Sequence, residues 1–418
     1  MTERSRPQVV IVGAGFGGLE TATALARAPV DVVIIDQQNH HCFQPLLYQV
    51  ATAALSPADV AWPIRSMLRR QQNVRVVMAR VTRVDVEACR VHTDSISVPY
   101  DFLVIATGAT HSYFGHDEWG TVAPGLKRIE DATDIRRRFL LAFEHAELSS
   151  DPAEQRRLLT FVIVGGGATG VEMAGAMAEV ARQTLQHDFR RIDSRTSRIV
   201  LVEAGPRLLP MFTERLSDYA KRSLERMGVE VLLSAKVTDC DENGVTLGNE
   251  RIDAATIIWA AGVVASPAAT WLNAEHDRAG RIKVAPDLSV SGRPEVFAIG
   301  DTATVLDRSG GPVPGIAPAA KQMGRYVGKL IAARVAGRAA PPPFAYRHAG
   351  DLATIGRRSA VVKLGRLTLT GFIGWMFWSV VHIYFLIGLR NRVVVALTWL
   401  WSYLTFKRGA RLINTAPR

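Results

Sequence analysis

Two glycine-rich stretches contain the residues that most directly indicate chemistry. The first, Val9 to Glu20, reads VVIVGAGFGGLE, and the second, Phe161 to Glu172, reads FVIVGGGATGVE. Each runs from a short apolar strand pattern through the spacing G-x-G-x-x-G into a helical pattern. The first glycine of such a turn allows the sharp bend, the second admits a pyrophosphate, and the third lets the helix pack on the strand. Because a helix N-terminus also favours anions, the two stretches predict two dinucleotide sites.

An acid at the end of the following strand completes each predicted site by accepting hydrogen bonds from a ribose. The glycines concerned are Gly13, Gly15, Gly17 and Gly18 in the first turn and Gly165, Gly167 and Gly170 in the second. Asp36 follows the first turn at the usual distance, whereas Glu203 lies 38 residues after Gly165, because a polar insertion at 182–198 intervenes. A carboxylate repels a 2′-phosphate, so Glu203 favours NADH over NADPH, and the nearby Arg207 acts in the opposite direction.

A glutamate closes each stretch, just inside the predicted helix. An acid that stabilises the helix dipole in its first turn is the plainest interpretation, and we assign Glu20 that role. For Glu172 the dipole role and a catalytic role both stay open, because the second helix is expected to point into the space between the two cofactors.

The elements around the turns form a divergent internal repeat. The strand pattern at 100–109, YDFLVIATGA, has its counterpart at 254–263, AATIIWAAGV, in the second copy. A length of 418 residues with 48% hydrophobic residues allows two or three domains. We predict a first domain made of 1–120 and 281–345, a second domain at 121–280, and a C-terminal segment at 346–418.

The positive charge of the chain is concentrated near its C-terminus. The net charge is +11, and from Arg357 to Arg418 there are ten Lys or Arg and no Asp or Glu. These cations alternate with apolar aromatic runs, one of which, 371–389, is 19 residues without a formal charge. An anionic lipid surface fits this pattern better than nucleic acid does. We expect a helical foot that lies on the cytoplasmic leaflet rather than a true membrane span.

The cysteines argue against thiol chemistry. Cys42, Cys89 and Cys240 are far apart in sequence and fit neither a disulfide framework nor a metal site.

The two turns, together with ATG at Ala106 to Gly108 and GD at Gly300-Asp301, resemble the two-dinucleotide-binding flavoproteins of glutathione reductase type. The resemblance implies an α/β fold of two Rossmann-like domains, here followed by a helical membrane-surface segment. It also implies that the first turn binds FAD and the second NADH. Thr107, Gly108, Gly300 and Asp301 are then expected at the FAD site, with the Asp301 carboxylate near the ribityl chain and phosphate.

Within that fold, residues 40–69 and 202–212 resemble the type II NADH dehydrogenases, which are single-chain NADH:quinone oxidoreductases of respiratory chains. This resemblance implies that Pro45 and Leu46 lie near the flavin ring. The family's quinone-site motif, Ala-Gln-x-Ala-x-Gln, has its equivalent here in Ala317, Pro318, Ala319, Ala320, Lys321 and Gln322. Gln322 keeps the second glutamine, but Pro318 replaces the first and cannot donate a hydrogen bond to a quinone. Lys321 is a candidate for stabilising negative charge on a reduced flavin.

We therefore expect FAD-dependent oxidation of NADH with reduction of a membrane quinone, without proton pumping, at the cytoplasmic face of the plasma membrane. Glu172 is the candidate proton relay, and a homodimer is one hypothesis for the assembly. The alternatives are a soluble ferredoxin or disulfide reductase, a sulfide:quinone oxidoreductase, and a non-catalytic flavoprotein that senses NADH.

Overall fold

The computed structural model describes residues 6–307, 310–405 and 408–413, and its contacts divide the chain into two compact units. The first unit contains the residues up to His41, 62–110 and 263–349, and the second contains 42–61, 111–262 and the residues from Gly350 onward. The domain boundaries predicted from sequence differ from these units: residues 42–61 were predicted in the first domain, and 346–418 as a separate segment. In the structure, 42–61 and the C-terminal residues pack with the second unit.

The first unit is built on a mainly parallel sheet. Its strands run in the order Ser289–Val290, Arg293–Ala298, Phe102–Ile105, Gln8–Val12, Asp31–Asp36 and Val74–Met78. Val10 lies at the centre, paired with Val33 on one side and Leu103 on the other. The central strand is buried along most of its length, as expected where helices cover both faces of a parallel sheet.

The glycine-turn helix of this unit, Phe16–Ala24, packs closely on a long helix, Ala317–Val335. A Cβ on Gly324 would lie 2.2 Å from the carbonyl oxygen of Gly17, so only glycine permits this approach. The remaining elements are shorter: strands Val81–Asp85, Arg90–Thr93, Ser97–Pro99, Ile282–Lys283 and Ala303–Thr304, helices Ile64–Leu68 and Ala268–Leu272, and the 3₁₀ turn Gly300–Thr302.

The second unit repeats this plan, which confirms the internal repeat. Its parallel sheet runs in the order Val229–Leu232, Arg198–Val202, Thr160–Val164 and Thr256–Trp259, matching the four strands from Val74–Met78 to Phe102–Ile105 of the first. Each sheet is accompanied by an antiparallel sheet, which in the second unit comprises Val237–Asp241, Gly244–Leu247 and Glu250–Asp253. The helices of the second unit include Leu47–Ala51, Pro57–Val60, Ile129–Leu148, Pro152–Leu158, Ala168–Glu179 and Glu214–Arg226, with a π-helical turn at Val180–Thr184.

The C-terminal segment is not helical throughout, in contrast to the prediction. It opens with an antiparallel sheet, Asp351–Gly356, Ser359–Leu364 and Leu367–Thr370, which the prediction missed. Two helices follow, Gly371–Phe385 and Leu389–Thr405. The first is shorter than the expected run to Leu389, and no helix of the described residues combines the length and apolarity needed to cross a membrane.

Candidate active site

The first glycine turn has the geometry that binding of a pyrophosphate requires. Gly13 has φ +101°, and a Cβ there would lie 2.3 Å from the carbonyl oxygen of Ala106. A Cβ on Gly18 would lie 1.8 Å from the oxygen of Gly13, so neither position tolerates a side chain. At Gly15 an added Cβ would meet nothing within 4 Å. The turn is therefore tight where helix and strand pack, and open where a phosphate would approach.

Asp36 stands at the end of the neighbouring strand, as predicted. Its carboxylate accepts hydrogen bonds from the backbone N–H of Ala14, at 2.6 Å, and of Gln38, at 2.8 Å. Because Ala14 lies between the first two glycines, the acid holds the turn in shape.

Thr107 and Gly108 follow the strand Phe102–Ile105 and meet residues from later in the chain. The Thr107 hydroxyl oxygen lies 2.5 Å from that of Ser266 and 3.2 Å from that of Thr302. Thr302 in turn donates to the carbonyl of Gly108 at 3.3 Å. These bonds join the carboxyl ends of two neighbouring strands, where α/β folds bind their ligands.

Gly300 and Asp301 form the 3₁₀ turn that ends the strand Arg293–Ala298. Gly300 has φ +68°, which explains the glycine, and the Asp301 carboxylate is half-buried beside Gly315. The Gly-Asp sequence thus lies at the same edge of the sheet as the first glycine turn.

His41 is a residue of this site that the sequence analysis missed. Its ring is buried, with Nδ1 2.9 Å from the carbonyl of Ala14 and its face against the edge of Phe16. Burial, assisted by the charge of Lys321, lowers the pKa of His41 to about 4. A neutral ring with its Nδ1–H donated to Ala14 follows. The pair of histidines before the Cys-Phe-Gln-Pro sequence was the available signal.

The predicted quinone motif forms the start of the helix Ala317–Val335. Pro318 occupies the first turn, where its missing N–H breaks no helical hydrogen bond. The carbonyl of Ala320 lies 3.3 Å from where a Cβ of Gly17 would be. The motif therefore packs against the first glycine turn.

Gln322 is already engaged in this structure. Its Nε2 donates to the carbonyl of Arg347 at 2.9 Å, and its Oε1 accepts from the N–H of the same residue at 3.0 Å. A quinone would compete with the backbone of Arg347 for this amide.

The second glycine turn has the same construction as the first. Gly165 has φ +112°, and its Cβ would lie 2.5 Å from the carbonyl carbon of Ala260. A Cβ on Gly170 would lie 1.8 Å from the oxygen of Gly165, whereas one on Gly167 would meet nothing within 4 Å.

Glu203 occupies the position that Asp36 has in the first unit, despite its longer spacing. It accepts from the N–H of Gly166, between the first two glycines, at 2.5 Å and from that of Gly205 at 2.6 Å. The Arg207 guanidinium donates to the carbonyl of Pro210 at 3.0 Å, within its own loop. The carboxylate is therefore the group positioned at the turn.

Pro45 and Leu46 lie in a 3₁₀ turn of the second unit, with the Leu46 side chain fully buried. The turn leads directly into the short helix Leu47–Ala51. Its position relative to a flavin stays a prediction.

The two closing glutamates differ, and neither lies in a first turn. The helices begin at Phe16 and Ala168, so the dipole role predicted for Glu20 is wrong. Glu20 instead forms an ion pair with Arg325, at 2.5 Å. Among the described residues Glu172 has no ion-pair partner; its Oε1 accepts from the backbone N–H of Thr354 at 3.4 Å.

Glu172 lines a cavity of about 100 Å³ inside the second unit. Burial raises the pKa of its carboxyl to about 8, against the single opposing contribution of the Thr354 N–H. The carboxyl is therefore mostly protonated at neutral pH, as a group that donates a proton must be.

Aromatic side chains form much of the cavity wall. Trp375, Trp378, Trp399 and Tyr403 come from the two C-terminal helices, and Tyr48 comes from the helix Leu47–Ala51. The Trp399 indole donates to Gln49 at 2.7 Å, and Gln49 donates to the Tyr48 hydroxyl at 2.9 Å. No local sequence spacing brings these residues together, because the helix Leu47–Ala51 lies more than 300 positions before the two C-terminal helices.

His382 is a packed histidine of the first C-terminal helix. Its ring stacks on Trp378 with centroids 4.0 Å apart, and its Nδ1 lies 2.7 Å from the Trp378 carbonyl. Burial lowers the pKa of His382 to about 4, so the ring is neutral.

The cysteines lack the properties of a redox pair. All three are free, and burial raises the pKa of both Cys42 and Cys240 to about 12. A thiol that stays protonated is a poor nucleophile, so the disulfide alternative gains no support.

Comparisons with known proteins identify the family of this chain. The family model for pyridine nucleotide-disulphide oxidoreductases matches residues 7–324, and that for the NDH2 C-terminal domain matches residues 348–408. The type II NADH:quinone oxidoreductase Ndh of Mycobacterium tuberculosis is 45% identical over 424 residues, covering 98% of this chain and 90% of that protein. A type II NADH:quinone oxidoreductase of Staphylococcus haemolyticus is 29% identical, covering 88% of this chain and 92% of that protein.

Solved structures share the fold. The structure of NDH2 from Plasmodium falciparum in complex with NADH superposes with a TM-score of 0.89 at 22% identity, covering 98% of this chain and 100% of that one. The sulfide:quinone oxidoreductase of Aquifex aeolicus gives a TM-score of 0.73 at 17% identity, covering 92% of each chain. The chain has two glycine turns, a buried acid and three unpaired cysteines, and it matches the Mycobacterium tuberculosis enzyme over nearly the full length of both proteins. It therefore belongs to the type II NADH:quinone oxidoreductases, enzymes that oxidise NADH and reduce a quinone.

Proposed function

We propose that this chain binds FAD at its first glycine turn and NADH at its second, and reduces a membrane quinone from the surface of the bilayer. The single observation that carries the proposal is the presence of two similar glycine turns. Each turn is open at its middle glycine, and in each a carboxylate accepts a hydrogen bond from the backbone N–H of the second residue. One chain with two such turns can hold a resident and a visiting dinucleotide at once.

The residues of the first unit fit FAD. The turn leaves room at Gly15, Asp36 faces the position of a ribose, and Asp301 and Thr107 lie at the carboxyl edge of the same sheet. When bound, the flavin supplies the chemistry of accepting two electrons from NADH and passing them to a quinone.

The residues of the second unit fit NADH. Gly167 leaves the turn open for the pyrophosphate, and Glu203 carries a negative charge where NADPH would place its 2′-phosphate. We therefore expect NADH to be preferred over NADPH.

Glu172 is the proposed proton relay. The overall reaction, NADH + H⁺ + quinone → NAD⁺ + quinol, consumes one proton beyond those that NADH carries. A buried carboxyl that is mostly protonated at neutral pH can donate that proton and recover it from water. The proton is consumed in the chemistry, and none is pumped.

The quinone contacts proposed here are those of the motif Ala317 to Gln322. Because Pro318 offers no side-chain donor, Gln322 would have to exchange the backbone of Arg347 for the quinone. Lys321 lies close enough to lower the pKa of His41 and could stabilise negative charge near the flavin.

The C-terminal helices supply the proposed membrane surface. They expose large apolar side chains, namely Phe372, Ile373, Met376, Val380, Tyr384, Val393, Leu397, Leu400, Trp401 and Leu404. In the sequence, Arg390 and Arg392 lie between the exposed apolar residues of the first helix and those of the second, where anionic headgroups would contact them. We infer an orientation on the cytoplasmic face, with this surface in the headgroup region.

Rapid mixing of the FAD-loaded protein tests the reaction. We expect NADH to bleach the flavin absorbance and a quinone analogue to restore it, with Glu172→Gln slowing only the second step. Absence of bleaching would favour an NADH sensor. Bleaching that ferredoxin or a disulfide reverses, but quinone does not, would favour the soluble reductases.

A further inference from the structure

A second carboxylate, Glu179, shares the cavity of Glu172. The two glutamates are seven residues apart on the helix Ala168–Glu179, which is two turns, so they lie on the same face. The Glu179 side chain is only 15% exposed. The regular helix ends at this residue and continues as the π-helical turn Val180–Thr184, a rare geometry that is often found at functional sites.

Arg408 of the C-terminal segment holds Glu179 in place. Its Nη2 donates to Glu179 Oε2 at 2.9 Å, its Nη1 donates to the carbonyl of Thr52 at 3.0 Å, and its side chain is 9% exposed. The backbone N–H of Arg357 donates to the other carboxylate oxygen, Oε1. Both oxygens of Glu179 are therefore fixed by donors from the C-terminal residues.

The space between the two glutamates suits water. Tyr48 is buried there, close enough to Glu172, Glu179 and Arg408 for all three to influence its hydroxyl. The Nε1–H of Trp378, another wall residue, has no hydrogen-bond partner among the described residues. A buried donor without a protein acceptor calls for water, and about 100 Å³ is room for more than one molecule where polar partners line the wall.

We propose that Glu179, positioned by Arg408, is the solvent-side end of a water-filled route that returns protons to Glu172. Arg408 is then a positioning residue, and the route is complete only when the C-terminal segment is seated on the cavity. The proposal rests on the proposed function, since it assumes that Glu172 donates a proton to the quinol.

The route balances the reaction. Two electrons and one proton derive from NADH, and the second proton of the quinol comes from Glu172. The Glu172 carboxylate left behind takes a proton from cavity water, which is replenished at Glu179 from solvent. No other oxidant or reductant is required.

The groups that face Glu172 are known from each element packed on it. They are Tyr48 from the helix Leu47–Ala51 and the N–H of Thr354 from the C-terminal sheet. The other charged or titratable groups that line the same cavity are Glu179 from its own helix and Arg357, Tyr403 and Arg408 from the C-terminal residues. Removing the charge of Arg408 leaves Glu172 in the same apolar surroundings but frees Glu179 at the solvent-side end of the proposed route. A change in proton delivery can therefore be separated from a loss of the relay itself.

The test uses Arg408→Gln in the full-length, FAD-loaded protein, with a water-soluble quinone analogue. We expect flavin bleaching by NADH at the wild-type rate and reoxidation slowed about tenfold. This is less than the roughly 10²–10⁴-fold contribution of a group that transfers the proton itself, because Arg408 only positions Glu179. The solvent deuterium isotope effect on reoxidation should rise, because proton delivery becomes limiting. Arg408→Lys should restore part of the rate.

Arg366→Gln is the control for the loss of one positive charge from the C-terminal residues. Arg366 is exposed and does not line the cavity, so its loss should change neither step. Glu179→Gln, which keeps the shape of the side chain, should reproduce the slow reoxidation and its isotope effect should Arg408→Gln fail to fold.

Normal reoxidation in Arg408→Gln or Glu179→Gln would overturn the inference, as would slow reoxidation with an unchanged isotope effect. Failure of the proposed function looks different, because the wild-type flavin would then not be bleached by NADH or not be reoxidised by quinone at all.

Discussion

Replacing Glu172 by glutamine should stabilise the protein at neutral pH while it slows quinone reduction. The wild-type carboxyl has a pKa of about 8 in the folded protein, against 4.5 for an ordinary solvent-exposed glutamate. Below pH 4.5 it is protonated whether the chain is folded or unfolded, so it costs nothing. As the pH rises towards 8, the unfolded chain loses this proton and the folded chain keeps it, so the free energy of unfolding falls.

The size of this effect follows from the pKa difference. Each pH unit above 4.5 costs about 1.4 kcal/mol, so the wild type loses about 3 kcal/mol by pH 7. Glutamine cannot ionise, and its Oε1 can still accept from the Thr354 N–H. The advantage of the variant should therefore grow by about 3 kcal/mol between pH 4.5 and 7, which is roughly 6–12 °C in apparent Tm for a domain of this size.

Thermal unfolding of the FAD-loaded protein in detergent, followed by circular dichroism from pH 5 to pH 8, measures this difference. Glu179→Gln is the control on the same helix, because it removes the partner of the largely buried Arg408 and should lose about 3 kcal/mol instead. Parallel pH curves for wild type and Glu172→Gln would refute the reasoning, because they would mean that Glu172 is ionised in the folded protein.

Three further outcomes are expected. Gly167→Ala should fold normally and raise KM for NADH about tenfold or more, because its Cβ would meet no protein atom but would occupy the space through which the phosphate approaches. Gly170→Ala should instead lose stability, because its Cβ would lie 1.8 Å from a carbonyl oxygen. Measuring both KM and Tm distinguishes the two effects. Cys42→Ser should keep full NADH:quinone activity in a steady-state assay, since a buried thiol with a pKa of about 12 is not a nucleophile, and a dead enzyme would revive the disulfide alternative. Ile373→Glu with Val380→Glu, at side chains 67% and 65% exposed, should weaken sedimentation with anionic vesicles without slowing flavin bleaching by NADH, and unchanged sedimentation would contradict the membrane surface.

Much of the fold could be predicted from local sequence. A glycine turn between an apolar strand and a helix is specified by residues within one short stretch, because only glycine adopts the φ of Gly13 or the close contact of Gly18. The internal repeat followed from the recurrence of that stretch with matching strands. Even Glu203, with its long spacing, was found because it ends a strand of the repeat.

The details of the C-terminal segment were harder to predict. Its antiparallel strands are short and follow a proline-rich linker. The longer apolar runs of the two helices after them gave a stronger signal, so the whole segment was predicted to be helical. The dipole role of Glu20 failed for a similar reason: one residue of error in a helix start moves a side chain out of the first turn, and a long-range partner, Arg325, then determines its role.

The sequence by itself determined that this protein has two dinucleotide turns, their acids and a basic, aromatic C-terminus, because each of these depends on residue types at fixed short spacings. Only the tertiary structure decided that Glu172 is buried with a raised pKa, that Glu179 shares its cavity, and that Arg408 holds Glu179. The physical reason is that burial and charge pairing depend on which distant segments come together, and here the wall of the cavity is assembled from residues 48 to 408 of the chain.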